Sequence, residues 1–114
     1  MSKVDFSDYI HSKVKEYTPN QVIFTKKNVS FLLERINSSE EDVKKDIFLQ
    51  KHLTFTEKQS ILFDSSSETR YRCYFIYSNS RGRCYVLTFN SVIKIITAFP
   101  LGRKTLNRYR KRFK

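Results

Sequence analysis

The apolar positions of this chain change period once along its length. From about Val4 to Tyr17, the residues Phe6, Tyr9, Ile10, Val14 and Tyr17 recur at helical spacing, with Asp8, His11, Lys13 and Lys15 elsewhere on the wheel. Thr18-Pro19-Asn20 ends that helix, and Gln21–Phe24 is a short extended piece at best. Thr25 can cap a second helix whose stripe is Val29, Leu32, Leu33 and Ile36. Asn37-Ser38-Ser39 then breaks the chain. Ser38 and Glu41 have capping-box spacing, with Glu40, Glu41 and Asp42 in the first turn and Val43, Ile47 and Phe48 as the apolar side of a third helix.

Leu53–Lys58 and Gln59–Asp64 read as extended, as one irregular or bulged strand, and 64–69 as a polar turn cluster. After Thr69 the period becomes two. Tyr71, Cys73, Phe75 and Tyr77 share one face of Arg70–Tyr77, and Arg70, Arg72, Tyr74 and Ile76 share the other. A turn at Ser78–Gly82 leads to Arg83–Phe89, and placing Tyr77 opposite Arg83 sets Cys73 against Leu87, Cys84 against Ile76 and Arg72 against Thr88. The cysteines then face opposite sides. Two reduced, half-buried thiols follow; a one-residue slip would leave them ~13 Å apart along the strand, beyond bridging distance.

The turn at Asn90-Ser91 decides where Lys94 points. A two-residue turn buries its ammonium beside Leu87, at a cost of several kcal/mol. A three-residue connection matches Ile93 with Phe89 and Ile95 with Leu87, and sets Lys94 beside Thr88; that register is expected. Pro100-Leu-Gly102 ends the sheet, and in the tail Arg103–Lys114 the residues Leu106, Tyr109 and Phe113 can lay one side of a short helix on the body. The expected fold is α+β: two or three N-terminal helices on one face of a three- to four-stranded antiparallel sheet, with a basic C-terminal tail. One domain covers 1–114, mainly helical over 1–52, sheet over 53–98 and tail over 99–114.

Charge changes this picture. The net charge is +11, yet all eleven acidic residues lie between Asp5 and Glu68, and the ten basic residues before Arg70 nearly cancel them. Arg70–Lys114 carries twelve Lys or Arg and no acid, which suggests a polyanionic partner. No run of ~18 apolar residues exists for a membrane helix. MSKVDFSDYIH has acids where a signal peptide needs an apolar core, so the expectation is a cytoplasmic protein with no membrane contact. Two Cys and two His, scattered, give no metal-ligand spacing, and no cofactor is expected.

A basic sheet face bearing aromatics offers phosphate contacts and stacking platforms for single-stranded RNA. RNA also carries its own nucleophile: the 2′-hydroxyl can attack the adjacent phosphate without a metal. Arg can stabilise the added charge through its fork of N–H groups. A Lys crowded by cations can act as base, and Tyr or Lys can protonate the leaving 5′-oxygen. Arg72, Lys94 and Tyr74 are the candidates for these roles, with Arg70, Thr88, Arg81, Arg83, Arg103, Lys104, Arg108 and Tyr109 as further RNA contacts.

The order of elements resembles the small RelE/BrnT-like ribonuclease toxins of the barnase–EndoU–colicin–RelE fold class. In those relatives a helix with a Glu-Arg pair precedes a capped acidic helix, then an antiparallel sheet ending in an Ile-Ile-Thr-like strand and a basic tail. Glu34-Arg35, Glu41-Asp42-Val43, Arg72 and Ile95-Ile96-Thr97 stand at those places here. The resemblance covers about residues 23 to 110. It implies cleavage through a 2′,3′-cyclic phosphate, on free or ribosome-bound RNA, and neutralisation by an acidic antitoxin. It adds Thr97 to the candidates, and also Lys27, which stands where many BrnT-like relatives carry a His; RelE-type toxins cut without one. Two other readings of the same residues stay open: a non-catalytic RNA- or DNA-binding module using the same face, and an interaction protein docking an acidic partner through its tail.

Overall fold

The computed structural model describes residues 4–24, 33–63, 66–78 and 80–109. Its centre is a five-stranded mixed sheet in the order β1-β5-β4-β3-β2. The strands are β1 (Val22–Phe24), β2 (Leu53–Phe63), β3 (Ser66–Ile76), β4 (Gly82–Phe89) and β5 (Ile93–Pro100). Three described helices accompany it: α1 (Ser7–Val14), α2 (Glu40–Leu49) and α3 (Arg103–Tyr109). Residues 33–35 are also helical, and Pro19–Gln21 forms a 3₁₀ turn. The second-helix cap Thr25 and its Val29 and Leu32 lie outside the described residues. The radius of gyration, 13.8 Å, is that of one domain of about this length, for which ~13 Å is usual. Among the described residues no helix is long and apolar enough to cross a membrane.

The α+β class is as expected, but the sheet is not the purely antiparallel one read from the sequence. Val22–Phe24 adds a fifth strand, parallel to β5, with Ile23 opposite Lys94. Only three residues pair, too few for a period to declare itself. The segments 53–58 and 59–63 do form one strand, with a register shift between Leu53 and Phe55. Of the polar turn cluster, residues 66–69 are strand, since Phe63 pairs with Ser66 and β3 begins there; residues 64 and 65 lie outside the described residues.

Local hydrogen bonds set the helix ends. Asp5 Oδ1 accepts from the N–H groups of Ser7 and Thr56, and Phe6 N–H donates to the Thr56 carbonyl. The chain before Ser7 is thereby tied to β2, which shortens α1 at its start. Asn37 adopts φ 52°, and Ser38 N–H reaches the Leu33 carbonyl while Asn37 N–H reaches that of Glu34. This is a Schellman termination, and it uses up Ser38. The cap of α2 is therefore Ser39, whose Oγ accepts from Asp42 N–H at 3.2 Å, and not Ser38.

Two apolar clusters hold the sheet, one on each face. On the first face Ile10 and Val14 of α1, Ile36, and Val43 and Ile47 of α2 pack on Tyr71, Cys73, Phe75, Tyr85, Leu87, Ile93 and Ile95. On the second, Leu101 and then Leu106 and Tyr109 of α3 pack on Phe55, Tyr74, Ile76, Cys84 and Val86. Helices were expected on one face only; the tail covers part of the other. Gly82 permits this approach. A Cβ there would sit 2.8 Å from both Leu101 Cδ1 and Leu106 Cδ2, and 3.1 Å from the Phe75 carbonyl oxygen. Gly82 was read as a turn residue, whereas it belongs to β4.

That misplacement moved the hairpin register by two residues. Tyr71 pairs with Leu87, Arg72 with Val86, Cys73 with Tyr85 and Phe75 with Arg83. An even slip preserves both faces, so the cysteines do point to opposite sides, both buried and unbridged. Burial pushes the Cys84 thiol up to about 12 and that of Cys73 higher still.

Candidate nucleic-acid interface

Across the second face the pairings build transverse rows. Phe55, Tyr74, Cys84 and Phe99 form one, and Glu57, Arg72, Val86 and Thr97 the next. A third starts with Gln59 opposite Arg70 and ends with Thr88 opposite Lys94 and Lys94 opposite Ile23. Thr88 lies one step beyond the Tyr71–Leu87 pair, and its Oγ1 donates to the Thr69 carbonyl at 3.0 Å, so it bridges Arg70 and Lys94. The face thus grades from aromatic and capped to cationic.

Lys94 falls where the three-residue turn put it: Thr88 pairs with Lys94, Phe89 with Ile93 and Leu87 with Ile95. Asn90 N–H donates to the Val92 carbonyl to close that turn. Tyr17 Oη donates to the Asn90 carbonyl at 2.6 Å and Gln21 Nε2 to that of Ser91 at 3.2 Å, which fixes it from outside. Ile93 and Ile95 are fully buried on the first face, so Lys94 emerges, half-buried, on the second.

Arg72 is in the adjacent row, opposite Val86 rather than Thr88. Its side chain is half-buried, and its Nε finds no partner among the described residues. The sheet is not acid-free, because β2 brings Glu57 opposite Arg72. Thr97 shares this row through Val86, kept there by a β-bulge between Val86 and Leu87. Arg70, Arg72, Lys94 and Thr97 therefore form a half-exposed group at one end of the face, around buried Thr88.

Tyr74 does not join them as an exposed acid or stacking platform. It is 7% exposed, packs on Phe55 and Tyr109, and donates its hydroxyl to Glu57 Oε1 at 2.6 Å. Burial, reinforced by that bond, raises its pKa well above the ordinary phenol value. Tyr109 is likewise buried, stacked on Phe55 with ring centroids 4.9 Å apart. Arg103, Lys104 and Arg108 lie exposed on α3. Lys27 lies outside the described residues.

Comparison with protein-family models, with curated proteins and with solved structures returned no significant match. The side chains themselves carry the functional argument.

Arg81 and Arg83 sit elsewhere, at the other end of the strands and beside the first face. There Asp46 of α2 accepts hydrogen bonds from Tyr77 Oη and, at 2.8 Å, from Tyr85 Oη. Arg83 Nη1 lies 3.7 Å from Asp46 Oδ2, and donates to Ser38 Oγ at 3.2 Å and Tyr85 Oη at 3.3 Å. Its guanidinium also covers the Tyr77 ring, 5.3 Å from the centroid, and His52 meets that ring edge-on. Burial pushes Tyr85 up to about 12 and Tyr77 higher. Sequence reasoning assigned the acids of α2 to a helix cap and missed this cluster. The available signal was Tyr77 and Tyr85 on a core-facing register, since buried tyrosyl hydroxyls need partners. Among the described residues no three His, Cys, Asp or Glu side chains gather as a metal site.

Proposed function

We propose that this protein binds single-stranded RNA at the cationic end of the second sheet face and cleaves it through the RNA's own 2′-hydroxyl, without a metal. The observation that carries this is the row Arg70, Thr88 and Lys94, with Arg72 and Thr97 beside it. Three neighbouring strands set its two cations two strand spacings apart, roughly 10 Å. Such a row follows a flexible phosphate backbone, and α3, over the other end of the face, adds exposed Arg103, Lys104 and Arg108.

In the proposed reaction the 2′-oxygen forms a bond to phosphorus while the bond to the 5′-oxygen breaks, giving a 2′,3′-cyclic phosphate. Arg72, half-exposed beside the row, offers the outer N–H groups of its guanidinium to the phosphorane oxygens. The Lys94 ammonium gives its proton to the leaving 5′-oxygen, and the 2′-hydroxyl proton passes to water. Thr88 and Tyr74 hold the strands and do not touch RNA. An acidic antitoxin as partner, and free or ribosomal RNA as target, belong to the same proposal through the resemblance to RelE/BrnT-like toxins.

A second reading, RNA binding without cleavage, is favoured by one observation: Tyr74, a candidate proton donor, is sealed under α3 and bonded to Glu57. Incubating labelled single-stranded RNA and ribosome-bound RNA with the protein in EDTA separates the two. The first reading predicts cyclic-phosphate ends from wild type and loss of cleavage, with retained binding, in Arg72→Ala. Binding with intact RNA in every condition selects the second.

A further inference from the structure

The Asp46–Arg83 cluster borders a pocket of about 350 Å³ lined by Asp42, Lys45, Asp46, His52, Tyr77, Arg81 and Arg83. That volume is at the lower end of the ~300–1,000 Å³ usual for small-ligand sites. We propose that this pocket is a separate binding site for a phosphomonoester, free or at the end of a nucleic-acid strand. The inference does not depend on the RNA reading of the second face.

Three features support it. First, Arg83 is held in advance. The Ser38, Tyr85 and Asp46 contacts are all made by Nη1, and the guanidinium plane is fixed over Tyr77. Arg83 also lines the pocket, so a guanidinium already held in place can offer its N–H fork to phosphate oxygens with little ordering left to do on binding. Second, the charges suit a dianion. Asp46 is occupied by two tyrosyl hydroxyls and Arg83. Asp46 offsets Arg83, and the exposed Lys45 and Arg81 outnumber the Asp42 carboxylate, so the described lining sets three cations against two carboxylates. A phosphomonoester carries about −1.5 to −2 at neutral pH, whereas an internal phosphodiester carries a single charge. Third, the site is remote from the cationic row. Arg83 and Thr88 are five residues apart on β4, roughly 17 Å, and they belong to opposite faces.

The test titrates the full chain with 5′-AMP, adenosine and inorganic phosphate by NMR. AMP should bind saturably and move the signals of Arg81, Arg83 and His52, and adenosine should not. Arg81→Ala with Lys45→Ala, both at exposed positions, should weaken AMP ~10-fold or more at unchanged thermal stability. Arg70→Ala with Lys94→Ala should leave AMP binding within about twofold. Displacement of AMP by a 5′-phosphorylated oligoribonucleotide, with the 5′-hydroxyl form inert, makes the strand end the source. Displacement by mononucleotides alone makes it a free metabolite. No AMP binding at about 5 mM, or binding that survives Arg81→Ala/Lys45→Ala, overturns the proposal. Loss of AMP binding in Arg70→Ala/Lys94→Ala would overturn it too, by moving the phosphate to the other face.

Discussion

At one end of the second sheet face, Phe55, Tyr74, Ile76, Cys84 and Val86 lie beneath Leu101, Leu106 and Tyr109. At the other end, Arg70 and Lys94 run across the same strands, half-exposed around Thr88. The backbone is continuous between them, so the difference comes from side chains alone. Where the rows are aromatic, the tail folds back and buries them; where they are cationic, burial would cost several kcal/mol per unpaired charge. One face therefore does two jobs, holding the tail at one end and leaving a basic strip at the other.

The largest effect belongs to the covered end. Phe55 is 1% exposed under Tyr109, and Phe55→Ala should cost ~3–5 kcal/mol by denaturant unfolding. Alkaline pH should come next. Tyr85 and Cys84 are each raised to about 12 by burial, so the unfolded chain gives up these protons first. Their contribution is complete below the unfolded values and is lost as pH climbs from about 9 towards 12, on the order of 2 kcal/mol per group. Calorimetry across that range checks it; a flat profile refutes the burial account. Gly82→Ala should be milder, about 1–3 kcal/mol, because Leu101 and Leu106 have to yield beside a fixed Phe75 carbonyl. Its signature is a loosened tail, read as faster amide exchange in Arg103–Tyr109. Smallest in stability is the open end: Arg70→Ala and Lys94→Ala should each stay within about 0.5 kcal/mol of wild type.

What the sequence made legible follows the same division. Period-two alternation identified both faces correctly, including Lys94, because a buried ammonium decided the turn length. Alternation cannot detect a slip of two, so Arg72 was matched with Thr88 when it pairs with Val86. Gly82 was the source of that slip: its role is close approach to Leu101 and Leu106, a demand made by residues some twenty positions later. The Leu106–Tyr109 spacing was read as able to dock the tail on the body, but it does not say which face the tail covers, so Tyr74 was still read as exposed and Tyr109 as an RNA contact. The Asp46 cluster joins residues 31 and 39 apart in sequence, and no local pattern links them. Glu57 entered the cationic face through β2, whose pairing the charge count could not anticipate.

The central claim is that the cationic end of the second face holds RNA. Its most direct test is the affinity of wild type and Arg70→Ala/Lys94→Ala for a fluorescent single-stranded RNA across a salt series. If both side chains contact phosphates, the double variant should bind more weakly while folding normally. Its log–log salt slope should be shallower by about 1.4, at ~0.7 per phosphate on a single strand. An unchanged slope and affinity in the double variant would contradict the account.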